Sequence, residues 1–169
     1  IGATRIESLT REIEAGRQYA RNADAAGSRL KYEEQALADL GGALDRIREL
    51  VLQASNATVD PDSRAMIRQE VAGRVQEMLD IANRQDGQGE YLFAGLATLT
   101  RPFERTVTGV VYRGDQGQRY QAVGDTQRVA DGDSGDAVFQ RVPGGNGTFI
   151  TEPAAGNTGT GVVGVGNVL

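Results

Sequence analysis

Apolar and small residues recur every three or four positions through the first fifty residues. They fall at Ile6, Leu9, Ile13, Gly16, Ala20, Ala23, Gly27 and Leu30, and again at Leu37, Leu40, Leu44, Ile47, Val51 and Ala54. This alternation marks a helix that lies along one apolar seam. Between Leu30 and Leu37 the phase slips, with Glu33 where an apolar residue is due, in the manner of a three-residue stammer. The spacing predicts a helix over about 4–55. At 1.5 Å per residue it would reach about 75 Å. Ser55 to Val59 breaks the pattern, and Asp60-Pro61-Asp62 restarts it. Asp60 suits the N-cap, Pro61 the first helical position, and Asp62 the positive end of the helix dipole. A second helix is predicted over about 61–85, with Ile67, Val71, Val75, Met78, Leu79 and Ala82 on its apolar side and Gly87 available as a left-handed cap.

A short connection between two amphipathic helices implies an antiparallel hairpin. The second helix is too short to cover all of the first, so the remaining seam needs another partner. Gly16, Ala20, Ala23 and Gly27 would let a further helix approach closely.

After Gly95 the texture changes. Arg105 to Arg113 is β-branched and aromatic and predicts a strand, Gly114-Asp115-Gln116-Gly117 a turn, and Gln118 to Val123 the returning strand. Gln127–Ala130, Ala137–Val142 and Thr148–Thr151 are further short strand candidates; Val162–Leu169 is either an edge strand or a segment without its partner. Helices first and strands after give an α+β fold: a long antiparallel helical hairpin, then a small, mostly antiparallel β domain. The expected division is a helical rod over 1–95, with a β-hinge at 89–95, and an outer β domain over 96–169.

Composition narrows the chemistry. The chain has no Cys, His or Trp, which removes disulfides, thiolate metal sites and every catalytic triad built on His. A net charge of −5 with interspersed signs offers no basic stripe for nucleic acid. No apolar run is long enough to span a membrane. The chain starts at Ile1 without Met, and we expect it to be an excised piece of a longer protein.

The remaining motifs have plain structural explanations. Asp131-Gly132-Asp133-Ser134-Gly135-Asp136 could present oxygens to calcium, yet it departs from the EF-hand order and reads as an acidic turn. Gly114-Asp115-Gln116-Gly117 lacks the spacing of a phosphate loop. Glu33-Glu34 and the Glu/Arg pairs of the helices lack the orienting groups that acid–base catalysis needs. Asn56-Ala57-Thr58 and Asn146-Gly147-Thr148 fit a glycosylation pattern but lie where turns favour Asn anyway. No catalytic, cofactor-binding or metal-binding residue is assigned, and the chain is not expected to be an enzyme.

The most informative stretch lies where the helical pattern stops: Asp86-Gly87-Gln88-Gly89-Glu90-Tyr91-Leu92-Phe93-Ala94-Gly95, closed by Pro102-Phe103. The candidate hinge and interface residues are Tyr91, Leu92, Phe93, Gly95, Pro102 and Phe103. If the segment is extended, Tyr91 and Phe93 share one side and Leu92 faces the other. Phe93 then plugs rod to sheet, and Tyr91 can also face a neighbouring subunit.

This segment resembles the D-G-x-G-x-Y-x-F-A-G…P-F signature of the flagellar hook-associated protein 3 family. Ala54-Ser55-Asn56-Ala57-Thr58 with Asp60 and Arg64 is similar to that family's helix connection, Tyr112 to Arg119 to its Y-x-G-D-x-G-x-R hairpin, and Val138-Phe139 to the V-F that follows. The resemblance implies a structural role at the junction of hook and filament, outside the cell, after export through the flagellar type III channel with the help of an export chaperone. It also implies partners: the first hook-associated protein, flagellin, and copies of itself in a ring. The family carries terminal helices at both ends, so the chain is expected to be the outer rod and β domains without them. A flagellin-like filament subunit, or a surface adhesin or sensor fragment whose β domain binds sugar or calcium, are the alternatives.

Overall fold

A computed structural model describes residues 2–56 and 58–141, together with the backbone of 148–150 and 165–167. Two helices come first, α1 (Gly2–Ala54) and α2 (Pro61–Ala82). Arg46 pairs with Glu70 at 2.8 Å and Arg84 with Asp39 at 2.7 Å, so the helices run antiparallel. The start of α2 follows from its sequence. Asp60, in an extended conformation, accepts the Ser63 amide at 2.9 Å, and Pro61 opens the helix.

Two expectations about the helices need correction. The first concerns the seam. The buried residues of α1 are Ala26, Arg29, Glu33, Ala36, Leu40, Ala43 and Leu50. They keep the three-four rhythm, but on a neighbouring face that shares only Leu40 with the predicted seam. Leu30, Leu37, Leu44 and Val51 each come one position after a buried residue and stay exposed, as do Ile6, Leu9 and Ile13. The apolar stripe is real, but within the described residues the contacts of α1 use the neighbouring face, where Ala36 and Ala43 let α2 approach closely. Nor does α1 break at the phase slip: Glu33 faces a loop there, not another helix.

The second correction is the end of α2, at Ala82 and not near 85. Asn83 closes it with its backbone amide on Leu79 and Asp80 carbonyls and its side-chain amide on Leu79 O at 2.9 Å. A side chain stops this helix, and Gly87 is not the cap.

Among the described residues the β region holds three two-stranded antiparallel pairs. β1 (Phe103–Thr106) pairs with β2 (Gly109–Tyr112), Phe103 opposite Tyr112. The single strand predicted over 105–113 is therefore a hairpin folded at Val107-Thr108, closed by Thr106 Oγ1 donating to Gly109 O at 3.1 Å. β3 (Tyr120–Ala122) pairs with β4 (Arg128–Ala130), not with the preceding hairpin. β5 (Thr148–Ile150) pairs with β6 (Val165–Asn167), which answers for part of the undecided 162–169 segment. The strand predicted at 137–142 is instead a single π-helical turn, Asp136–Gln140; Val142 lies outside the described residues.

The core straddles both halves. Ala36 and Leu40 of α1 and Leu79, Ile81 and Ala82 of α2 pack with Leu92, Phe93 and Phe103. Tyr112, Val138 and Phe139 lean on this cluster from the β side. Farther toward the start of α1, Asn22 donates to Ala122 O and Tyr19 to Asp125 Oδ1, both at 2.8 Å, holding β3 and its turn along the helix.

Candidate functional site at the hinge

The segment 84–98 is held by its backbone as a compact loop. Asp86 N donates to Glu90 O, Tyr91 N to Thr98 O and Leu92 N to Arg84 O, at 2.8, 2.8 and 3.0 Å. Tyr91 forms one isolated bridge with Gln85, and the chain then turns through Gly95. The expected extended strand over 89–95 is therefore a turn. Its alternation fails too: Leu92, Phe93 and Ala94 are all buried, while Tyr91 is half-buried. Turning the backbone lets three consecutive side chains enter one core, which a strand cannot do.

The structure brings Leu92, Phe93, Gly95, Pro102 and Phe103 together as buried residues. Phe93 has no exposed surface and meets the Phe139 ring edge-on, with centroids 5.2 Å apart and planes at 83°. Phe139 meets Phe103 in the same way at 5.1 Å, and Phe103 in turn packs on Tyr112 at 5.1 Å. Edge-to-face geometry of this kind adds about 0.5–1.5 kcal/mol per pair beyond the buried area.

The residues 112–119 clamp the hinge from outside. Tyr112 Oη donates to Phe93 O and Asp115 O, at 3.0 and 2.7 Å. Burial raises the pKa of that phenol, keeping it a donor. Asp115 Oδ1 accepts the amides of Leu96 and Gly117 at 2.9 and 2.7 Å, and the Asp115 amide donates to Ala94 O at 3.1 Å. This stretch is therefore a brace across the hinge, not the turn of a hairpin.

A buried ionic chain joins the hinge to α1 and the 131–136 loop. Arg29 Nη1 pairs with Asp86 at 2.5 Å, and Arg29 Nη2 donates to Tyr91 O at 2.8 Å. Glu90 lies 3.7 Å from Arg29 and 2.6 Å from Arg119, and Arg119 continues to Asp131 at 2.8 Å. The hydrogen bond that Arg119 donates to Asp131 raises the Arg119 pKa, while burial opposes it. Burial pushes Asp86 upward, but the amides of Glu90 and Gln88 and the Arg29 guanidinium outweigh it and leave its pKa below the usual carboxylate value. Glu33 accepts the Asp133 amide at 3.1 Å, and burial pushes its carboxyl up to about 7 against the pull of that amide.

Arg29 and Asn83 escaped the sequence reading, and Glu33 and Asp131 were noticed there but given no part in the hinge. The signal for two of them was present: Arg29 and Glu33, one turn apart, interrupt the stripe formed by Ala26, Ala36 and Leu40. The carboxylates of the suspected calcium turn go separate ways, Asp131 to Arg119, Asp133 to Gln118 and Asp136 to Arg141. Among the described residues no group of three acidic side chains is placed to hold a metal, and no helix is long and apolar enough to cross a membrane.

Comparisons with known proteins place this geometry. The bacterial flagellin N-terminal helical region matches residues 1–98. Flagellar hook-associated protein 3 of Salmonella typhimurium is 28% identical over 142 residues, covering 84% of this chain and 44% of the relative. The flagellar junction protein FlgL from Legionella pneumophila is 37% identical with a TM-score of 0.76, over 92% of this chain and 50% of that one. FlgL from Xanthomonas campestris is 35% identical with a TM-score of 0.72, over 77% and 42%. The chain thus spans less than half the length of the curated relative.

Proposed function

The chain belongs to the bacterial flagellin N-terminal helical family, and from that premise we propose that it is part of a hook-associated protein 3, a structural adapter between the flagellar hook and its filament. The supporting observation is the hinge. Phe93, Tyr112 and the Arg29–Asp86 pair tie the β region to the side of α1, while another stripe of that helix stays open. Such a body transmits force and presents surfaces. In our division the rod spans 1–95 and the outer β domain 96–169, with Tyr91, Leu92, Phe93, Gly95, Pro102 and Phe103 as the structural hinge and interface.

In this reading the protein is not an enzyme. It is exported through the flagellar type III channel, an export chaperone holding it beforehand, and it works outside the cell. Its partners are copies of itself in a ring, the first hook-associated protein on one side and flagellin on the other. Gold-labelled antibody against residues 103–130, applied to isolated flagella, tests this. A single band where hook meets filament is expected. Label along the whole filament would make it a flagellin, and label on the cell body a surface protein of another kind.

A further inference from the structure

The buried charges at the hinge do not balance. Arg29 and Arg119 serve Asp86, Glu90 and Asp131, and Glu33, 4% exposed, has no cation within ion-pair distance among the described residues. Its carboxylate receives only the Asp133 amide, at 3.1 and 3.3 Å. It lies where α1 meets the 131–135 loop, so close beneath Gly132 that a Cβ there would sit 3.2 Å from Oε2. The charged groups facing it are Arg29 from its own helix and Asp131 and Asp133 from the loop. Arg29 gives its hydrogen bonds to Asp86 and to the Tyr91 and Leu92 carbonyls and draws the Glu33 pKa down only through space, while the two loop carboxylates repel a charge on Glu33.

We propose that Glu33 is a protonation-controlled latch between the helical rod and the β region. Neutral, its carboxyl still accepts the Asp133 amide and leaves no uncompensated charge in the interface. Ionised, it keeps that hydrogen bond but places a third negative charge beside Asp131 and Asp133, and the loop loosens from α1. Because burial raises the carboxyl from 4.5 to about 7, the transition falls at neutral pH. The latch is fully closed below the unfolded value of 4.5, weakens as pH rises, and is fully weakened above about 7. This proposal stands on the hinge geometry and holds whether or not the protein sits at the hook.

Two measurements on the 169-residue chain test it. The first is a carbon-13 NMR titration of the Glu33 side-chain carboxyl. A midpoint near 7 is expected; one near 4.5 would overturn the proposal. The second is amide protection of residues 131–135 between pH 5 and 8. In the native chain the local opening constant should rise by up to about tenfold per pH unit, the limit for one linked proton, and level off above about pH 7. E33Q should flatten that profile, while E34Q, at the exposed neighbour, should leave it in place. Equal profiles for E33Q and the native chain would sink the latch. If E33Q does not fold, the titration of the native chain decides alone.

Discussion

Asn83 holds Phe103 by both ends of its side-chain amide. Its Oδ1 accepts the Phe103 amide at 2.9 Å and its Nδ2 donates to Phe103 O at 3.0 Å, across 20 residues of sequence. The side chain thus takes the place of a neighbouring strand for the first residue of β1, at the point where α2 ends. Asn83→Ala leaves that amide and carbonyl without their partner in a half-buried setting. Orphaned polar groups cost about 1–3 kcal/mol each, so a loss of roughly 2 kcal/mol is expected. Urea denaturation checks it; a midpoint equal to the native one would mean water replaces Asn83 freely.

Phe93→Ala removes a ring with no exposed surface from the end of the aromatic chain that runs through Phe139 and Phe103 to Tyr112. Truncating a buried Phe costs about 3–5 kcal/mol. The melting temperature should fall by roughly 6–20 °C at this chain length, since about 1 kcal/mol is worth 2–4 °C. Leu99→Ala, at a side chain 83% exposed, should leave it unchanged. Equal effects would contradict the placement of both residues.

Much of this was legible in the chain. Asp60-Pro61 announced α2 because capping is local chemistry, needing only a side chain and the next three amides. The α+β order was readable because period and composition change together after Gly95. What could not be read was set by distant partners. The seam of α1 shows two neighbouring stripes, Leu30-Leu37-Leu44-Val51 and Ala36-Leu40-Ala43-Leu50, and sequence alone cannot say which one α2 will take. The strand over 105–113 broke before Gly109, whose φ of 141° suits glycine and whose carbonyl takes the Thr106 hydroxyl. Arg29 finds Asp86, 57 positions along the chain, only once the hinge has folded.

Arg29→Met tests the ionic chain. It leaves Asp86 buried beside Glu90 and strips Tyr91 O of its donor. Breaking a buried pair from one side costs about 3–5 kcal/mol. It should also alter the acid limb of stability. Asp86 has a depressed pKa, so its contribution is present above the unfolded carboxylate value and is lost as pH falls through the folded one. Without Arg29 that depression shrinks, and the difference between the two proteins should narrow at acid pH. Melts at pH 7 and pH 3 measure this; an identical gap at both would mean Asp86 is held by amides alone.

Gly95 and Gly89 separate two reasons for glycine in the hinge. Both have positive φ, 68° and 82°, where a Cβ is strained. That strain alone costs about 1–2 kcal/mol for an L residue. Around Gly89 there is open space, so Gly89→Ala should lose only that much. At Gly95 a Cβ would lie 2.3 Å from Asp115 Oδ1 and 2.5 Å from Asp115 O, both within the brace that crosses the hinge. The backbone there cannot yield without giving up the Leu96 and Gly117 amides that Asp115 holds. Gly95→Ala should therefore cost clearly more than Gly89→Ala, and faster amide exchange should appear at Leu96 and Gly117. Equal losses at the two glycines would show that the brace is soft and that positive φ alone explains the motif.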